Sequence, residues 1–199
     1  MHLITNCTYF SENFDSFESM RLNLYRHRRK SRPTLPRSAE EILMQEPYTK
    51  TLSNENFLQY DSANENRILI FSSRRYLQIL STSSIILCDG TFYFAPTHFT
   101  QLYTVHGKKF GKFFPLLYAF LPDKTHATYL ILFSQIRNLF TQNGFSNRWE
   151  MIIMDFEAAA HRVISEEFSN ILRKGCFFHF GQCLWRKIQE LGLTTVSNF

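Results

Sequence analysis

Two aspartates lie where apolar, β-type stretches of the sequence place them inside or beside strands. Asp89 lies within the stretch Ser84–Phe94, and Asp155 directly follows the apolar run Trp149–Met154. A buried carboxylate is unfavourable unless it is protonated, paired or bound to a metal. If the strands bring the two carboxylates together, a cation relieves their repulsion, and Mg²⁺ or Mn²⁺ takes such oxygen ligands with substrate phosphates. Two such ions assist in-line phosphoryl displacement, so the pair suggests a nuclease or strand-transfer site.

Each aspartate also has a simpler interpretation. Asp89-Gly90 between two apolar runs is typical of a hairpin turn, because a type I′ turn needs positive φ at both central residues. Asp155 precedes a Phe-Glu-Ala-Ala-Ala stretch and is a suitable helix N-cap. The order of the later elements favours a continuous strand through Asp89, in which Gly90 leaves room beside the carboxylate.

Cys176 and His179 form a second candidate site. The sequence Cys-Phe-Phe-His supplies two zinc ligands, whereas a structural zinc site needs four. Neither Cys183 nor His161 has a convincing spacing to complete it. The alternative is a buried cysteine and a satisfied histidine within an aromatic strand. The pair therefore predicts at most a partial Zn²⁺ site, with further ligands from beyond residue 199.

The positive charge is concentrated in one segment. The chain carries a net charge of +5, and the segment from Arg21 to Arg37 contains no acidic residue. Its basic residues are Arg21, Arg26, Arg28, Arg29, Lys30, Arg32 and Arg37. Such a cluster is commonly a solvated arm, and a nuclear-import signal has the same composition. Because lysine and arginine release counterions from phosphates, we favour a DNA-binding arm without sequence specificity, and a nuclear location.

The remaining composition indicates an intracellular protein outside membranes. The four cysteines lack the spacing of a disulfide framework, and the N-terminus lacks the features of a signal peptide. The longest apolar run, residues 113–121, is interrupted by Pro115 and is shorter than the roughly 20 residues that cross a bilayer. We expect no membrane contact, and a homo-oligomer is compatible with the sequence.

Residues 1–66 are predicted to be a basic N-terminal segment and linker that is partly helical. The pattern indicates a basic helix over Met20–Lys30, and Ser38–Glu41 has the form of a capping box that begins another helix. Residues 47–66 are polar and rich in asparagine, which predicts a linker or an exposed hairpin.

Residues 67–199 are predicted to form one α/β domain. The predicted strands are Ile68–Phe71, Ser84–Phe94, Gln101–Val105, Lys112–Leu121, Trp149–Met154 and Lys174–Phe180, and the predicted helices are Ser73–Leu80, His126–Phe140, Ala158–Phe168 and Gln182–Leu191. Turns at residues 95–97 and 106–108 make the middle strands an antiparallel meander. A right-handed helical crossover then places the Trp149–Met154 strand parallel to the first strand of the meander, bringing Asp155 towards Asp89. This is a mixed sheet, flanked by helices, of ribonuclease-H-like shape.

Several of these segments occur in the order of a known family. They are Asp89-Gly-Thr-Phe92, Gln101-Leu-Tyr-Thr-Val-His-Gly107, Thr128-Tyr129, Asp155-Phe-Glu157 with Ala159, and Gly175-Cys-Phe-Phe-His179 with Gln182. Over about residues 67–191 the series resembles the transposase domain of Mutator-like elements (MULE). The Arg-rich segment that ends in Leu35-Pro-Arg-Ser38 is similar to what precedes the domain in that family.

The resemblance implies a ribonuclease-H-like fold and a DDE-type, metal-dependent transposase. Its partners would be transposon ends and target DNA, with Asp89 and Asp155 as the first two catalytic acids and Cys176 and His179 as the family's Cys-x-x-His pair. The family's third acid is a glutamate on a later helix, and no glutamate of this chain lies at that place. We therefore expect a C-terminally truncated domain with weak or no strand transfer. The alternative is a non-enzymatic, transposon-derived nuclear protein that binds DNA through its basic arm.

Overall fold

The computed structural model describes residues 17–30 and 36–193, and these fall into two compact units divided between Arg37 and Ser38. The first unit contains the helix α1 (Phe17–Lys30), which confirms the predicted basic helix and extends it by one turn. The second unit contains, in order, β1 (Leu58–Asp61), β2 (Leu69–Phe71), α2 (Arg74–Thr82), β3 (Ile85–Thr91), β4 (Gln101–Lys109), β5 (Lys112–Leu121), α3 (His126–Gln142), β6 (Met151–Met154), α4 (Ala158–Glu167), β7 (Leu172–Gly175) and α5 (Phe177–Glu190).

The second unit is built on one mixed sheet of seven strands in the order β1-β2-β5-β4-β3-β6-β7. The strands β1 to β5 pair antiparallel, whereas β6 pairs parallel to β3 and β7 pairs parallel to β6. The predicted α/β class, with an antiparallel meander followed by parallel strands, is therefore confirmed. The arrangement is compatible with a ribonuclease-H-like fold.

The meander differs from the sequence pattern in two strands, since β3 ends at Thr91 instead of Phe94 and β4 is longer than predicted. Asp89 and Gly90 lie within β3 and pair with Thr104 and Tyr103 of β4, so the hairpin alternative for Asp89-Gly90 is wrong. The turn predicted at residues 106–108 is also wrong, because β4 continues to Lys109 and the chain reverses at Phe110-Gly111. Both turn residues have positive φ, 51° and 75°, and Gly111 adopts that conformation without a steric penalty.

One face of the sheet carries the core. Along β3, β4 and β6, buried residues alternate with partly exposed ones, as the two-residue side-chain period of a strand requires. Ile86, Cys88 and Met154 lie on the buried face, where they join Leu77 of α2 and Phe133 of α3 in a single cluster. The odd-numbered side chains of β3, including Asp89, lie on the opposite face.

Four hydrogen bonds tie the start of β6 to the end of α2 and to Ser84, the residue before β3. The Trp149 indole Nε1 donates to the Leu80 carbonyl at 2.9 Å, and the backbone N–H of Arg148 donates to the Ser81 carbonyl at 2.8 Å. The N–H groups of residues 150 and 151 donate to the Ser84 carbonyl at 2.8 and 3.0 Å. These bonds fix where β6 begins relative to β3.

The helix predicted from the capping box Ser38–Glu41 is wrong, since the chain there forms bends and a turn. The carbonyls of Ala39 and Glu40 accept hydrogen bonds from Arg67 Nη1, at 2.6 and 3.3 Å. Arg67 also holds the Asp61 carboxylate in a two-pronged ion pair of 2.8 and 2.6 Å. A buried arginine therefore uses the carbonyls that a helix would have needed.

Residues 47–66 contain both a turn and a strand. The bridge between Lys50 and Asn56 closes an antiparallel turn, which agrees with the predicted exposed hairpin. The strand β1 follows and adds an edge to the sheet beside β2, which the predicted linker did not include.

The strand predicted over Lys174–Phe180 is wrong beyond Gly175. The strand β7 ends there, and α5 begins at Phe177 with Cys176 as its N-cap. The aromatic run that suggested a buried strand is exposed, with Phe177 86% and Phe178 68% accessible. Gly175, at the end of β7, has no room for a side chain, because a Cβ there would lie 2.5 Å from the Phe156 ring.

Replacing Arg67 tests the contribution of its buried ion pair. Arg67 is 4% exposed, so Arg67→Met leaves Asp61 and two carbonyls without their donor. We expect the free energy of unfolding, measured by urea denaturation, to fall by about 3 kcal/mol. The matched change Arg162→Met breaks an exposed pair with Glu166 and should lower the free energy of unfolding far less. Equal losses in the two variants would contradict the interpretation.

Candidate active site

The ends of β3 and β6 bring the two predicted acids together. In the parallel register Ile85 pairs with Met151 and Leu87 with Ile153. Asp89 follows Leu87 by two residues within β3, and Asp155 directly follows the last residue of β6, so both lie towards the carboxyl ends of neighbouring parallel strands. Besides burial, the charges of both carboxylates raise the pKa of the Cys88 thiol, which lies on the buried face of β3. The parallel pairing of β3 with β6 agrees with the predicted topology, and the metal-binding role of the two acids stays a prediction.

Asp89 lies in contact with a histidine from a different element. The Nε2 atom of His179, on the first turn of α5, is 3.6 Å from Asp89 Oδ1, and the two side chains are 26% and 37% exposed. This distance is an electrostatic contact rather than a hydrogen bond. The His179 Nδ1 atom is buried and has no hydrogen-bond partner among residues 17–30 and 36–193.

A second histidine flanks Asp89 within the sheet. His106 pairs with Leu87 on β4, two positions from Asp89 along β3, and its side chain lies on the same face. Burial lowers the pKa of His106 from its usual 6.5, and the charge of Asp89 partly opposes that shift. His106 was part of the family resemblance, but no residue type or spacing marked it as a neighbour of the acid.

Asp155 is held by the turn that begins α4. Its Oδ1 accepts a hydrogen bond from the backbone N–H of Glu157 at 3.2 Å, and its carbonyl contacts His161 Nε2 at 2.7 Å. The N-cap position of α4 is occupied by Glu157, which makes no side-chain capping bond. The N-cap alternative for Asp155 is therefore wrong, and this carboxylate is oriented by a local Asx-type turn.

A buried polar chain runs behind Asp155. The Gln101 side-chain N–H donates to the Tyr129 hydroxyl at 2.8 Å, and Tyr129 donates to Glu157 Oε2 at 2.8 Å. Burial raises the pKa of Glu157 above its usual 4.5, while the Tyr129 hydrogen bond acts in the opposite direction. Sequence analysis missed this chain, because a glutamine and a tyrosine at strand and helix positions carry no signal of mutual contact.

The cysteines differ in environment. Cys88 lies on the buried face of β3, and burial raises the pKa of its thiol to about 12, so it stays protonated at neutral pH. Cys176 is half-buried at the start of α5, and Cys183 on the same helix is exposed. In this environment Cys88 is a packing residue rather than a nucleophile.

The predicted zinc pair lies on a helix start instead of a strand. Cys176 is three residues before His179, a spacing that puts both side chains on one side of α5. The backbone N–H of Cys176 donates to the Met154 carbonyl at 2.7 Å, which anchors the helix start beside Asp155. No set of three or more His, Cys, Asp or Glu side chains able to hold a metal occurs in the described ranges, 17–30 and 36–193.

The basic residues of the arm lie in the other compact unit. Within α1, the side chains of Arg21, Arg26, Arg28 and Lys30 are exposed. Arg29 belongs to the same helix, Arg37 follows it, and Arg32 lies outside the described residues. In the described ranges no helix is both long and apolar enough to cross a membrane.

Comparison with known families places this site within a recognised domain. Residues 85–182 match the MULE transposase domain. The MULE match covers just under half of the chain and includes β3, β6, both acids and the Cys-x-x-His pair. It indicates a transposase-related function, which in general implies contact with DNA. No curated protein and no solved structure matches the chain.

The raised pKa of Glu157 predicts a pH-dependent contribution to stability. The folded state binds the Glu157 proton more tightly than the unfolded state, so this contribution is present below about pH 4.5 and is lost as the pH rises through the raised folded pKa. Glu157→Gln keeps the Tyr129 acceptor but cannot ionise. We expect its free energy of unfolding, relative to wild type, to increase between about pH 4 and pH 7.

Tyr129→Phe provides the companion measurement. It removes the donor that lowers the pKa of Glu157, so the loss of stability should move to higher pH. Parallel pH profiles for the wild-type, Glu157→Gln and Tyr129→Phe proteins would contradict the assignment.

Proposed function

We propose that the second unit is a DDE-type transposase domain that acts on DNA phosphodiesters through Asp89 and Asp155, using Mg²⁺ or Mn²⁺. The observation that supports this is the parallel pairing of β3 with β6, which brings Asp89, within β3, and Asp155, directly after β6, towards the same end of the sheet. The MULE match over the same strands supports it independently. The proposed substrates are transposon ends and target DNA.

The donor chemistry of the site fits hard cations. Two carboxylates are the protein ligands that Mg²⁺ commonly takes, with the remaining positions left to water and substrate phosphate. Asp89 is partly exposed, and the turn at Asp155 uses the Oδ1 atom of that carboxylate. When bound, the ions would activate the attacking oxygen and stabilise the leaving oxygen of an in-line displacement.

The surrounding residues position the two acids. The backbone N–H of Glu157 donates to the Asp155 carboxylate and orients it. The Tyr129 hydroxyl donates to the Glu157 side chain and so fixes its position. His179 contacts Asp89 Oδ1 and limits the positions that the Asp89 carboxylate can adopt. Cys176 and the buried His179 Nδ1 are two ligands that suit Zn²⁺, and such an ion would brace α5 against the acids.

We assign no residue of the described chain as the third acid of the proposed site. Glu157 is committed to Tyr129, and Glu166 pairs with Arg162 and His126. Because the family resemblance implies a third acid that neither glutamate supplies, we propose that this chain binds divalent ions through Asp89 and Asp155 but performs little or no strand transfer.

Metal binding and DNA cleavage provide separate tests of the acid pair. Asp89→Asn and Asp155→Asn should each weaken Mn²⁺ binding, measured by electron paramagnetic resonance, by about tenfold or more, since each removes one charged ligand. Glu150→Gln alters an exposed carboxylate at the far end of β6 and should leave Mn²⁺ binding unchanged.

Nicking of supercoiled DNA with Mg²⁺ or Mn²⁺ should be weak or absent in the same preparations. Strong metal-dependent nicking that Asp89→Asn abolishes would overturn the proposed incompleteness while supporting the site. Mn²⁺ binding that neither aspartate variant weakens would remove the site itself.

The exposed basic helix favours a second function, that of a non-enzymatic nuclear protein that binds DNA through α1. Changing Arg21, Arg26 and Lys30 together to glutamine removes three charges from its surface. We expect the slope of log affinity for duplex DNA against log salt to decrease in magnitude by up to about 3, or 0.9 for each phosphate contact.

The control for the helix variant is the double change Arg162→Gln and Lys187→Gln, which alters exposed, ion-paired cations of the second unit. It should leave the slope nearly unchanged. In this second function, DNA binding also persists in Asp89→Asn and Asp155→Asn. A salt slope that the α1 variant leaves unaltered would rule out the helix as the DNA contact.

A further inference from the structure

Two cavities meet at Arg75, on the first turn of α2. One, of about 580 Å³, is polar, and its donors include Arg74, Gln59, Gln78 and Asn143. The other, of about 460 Å³, is lined by aromatic residues, among them Tyr76, Phe110, Phe114 and Tyr118, together with Lys109. Arg75 belongs to both linings, and the two neighbouring cavities are together called here the Arg75 surface.

The charge of the Arg75 surface is unbalanced. It contains Arg74, Arg75 and Lys109, and its single carboxylate is Glu55. Among the ion pairs of the described ranges, none involves these three cations. Arg74 lies over the Phe145 ring at 5.2 Å and Lys109 over the Phe110 ring at 5.4 Å, contacts that leave both positive charges uncompensated. A surface of this kind fits an anionic ligand.

The aromatic side chains of the surface are unusually accessible. Phe110 is 88% exposed, Phe114 42% and Tyr76 39%. Phe110 is held outward by the tight β4–β5 turn, where its φ is 51°. Exposing aromatic rings to water is unfavourable. Rings that lie beside cations therefore indicate a ligand with planar, stackable groups as well as negative charge.

The Arg75 surface lies at the end of the sheet opposite the acids. Asp89 pairs with Thr104, and β4 continues for five residues from there to Lys109, a distance of about 17 Å. The helix α2 crosses the sheet at that same end, because it leads from the end of β2 to the start of β3. The surface is therefore separate from the Asp89–Asp155 site.

We propose that the Arg75 surface binds single-stranded DNA, with Arg74, Arg75 and Lys109 contacting phosphates and Phe110, Phe114 and Tyr76 stacking on unpaired bases. Stacked bases inside a duplex do not present their faces to protein rings, whereas those of a single strand do. An acidic peptide would satisfy the cations but not the rings. This binding needs neither the two acids nor a metal ion, so it does not rest on the proposed function.

Fluorescence anisotropy of the full chain with a labelled oligothymidine of about 12 nucleotides, without divalent metal, tests the proposal. Phe110→Ala should weaken binding about 5- to 150-fold, the range for loss of one stacked base. Arg75→Gln should reduce the salt slope by about 0.7, the value for one single-strand phosphate contact. Arg162→Gln, an equal loss of exposed charge on α4, should alter affinity by less than about twofold.

Photocrosslinking separates this surface from the basic helix. An oligonucleotide containing 5-iodouracil should crosslink to peptides that carry Tyr76 or residues 109–118, identified by mass spectrometry. Crosslinks confined to residues 17–37 would overturn the proposal, as would equal weakening of duplex and single-strand binding by Phe110→Ala. Because no cleavage is measured, a failure of metal-dependent nicking leaves this result intact, and absent oligonucleotide binding leaves the nicking result intact.

Discussion

The parallel pairing of β3 with β6 is the constraint on which the site depends. A strand that enters a sheet parallel to its neighbour needs a crossover, and here α3 returns the chain along the core face before β6 begins. The two-residue period of the strands then sends alternate side chains to opposite faces. Cys88 and Met154 are buried by this alternation, and the residue after each is an aspartate on the other side.

The residues that contact or orient the two acids lie on both faces of the sheet. Beneath the sheet, Gln101, Tyr129 and Glu157 form a polar chain that ends at the turn holding Asp155. Above it, His179 approaches Asp89 from α5, whose start is bonded to Met154. The two acids are thus contacted by different elements, Asp89 by α5 and Asp155 by the turn before α4.

Sequence reasoning predicted the elements whose pattern is repeated over many residues. The stripe on α3, the apolar meander and the position of Asp155 after an apolar run all follow from local periodicity. It failed where a distant partner decides the local conformation. Arg67 takes the carbonyls of Ala39 and Glu40 from a sequence that otherwise has helix-capping features.

The aromatic run after Gly175 failed for a related reason. Phenylalanines in succession suggest a buried strand, yet α5 buries none of its side chains. The contacts of His179 with Asp89 and of Tyr129 with Glu157 join residues 90 and 28 positions apart, and neither separation has a local signature. Local pattern therefore located the two acids but not the residues that orient them.

The hydrogen bond from the Trp149 indole to Leu80 affects the position of Asp155 from a distance. Six residues, or about 20 Å of extended chain, separate the indole from Asp155. Slippage of β6 by a single residue would turn Asp155 into the core and bring Met154 out, since register and facing are linked in a strand. The hydrogen bond from Trp149 to Leu80 therefore helps to fix the register of β6, and with it the position of Asp155.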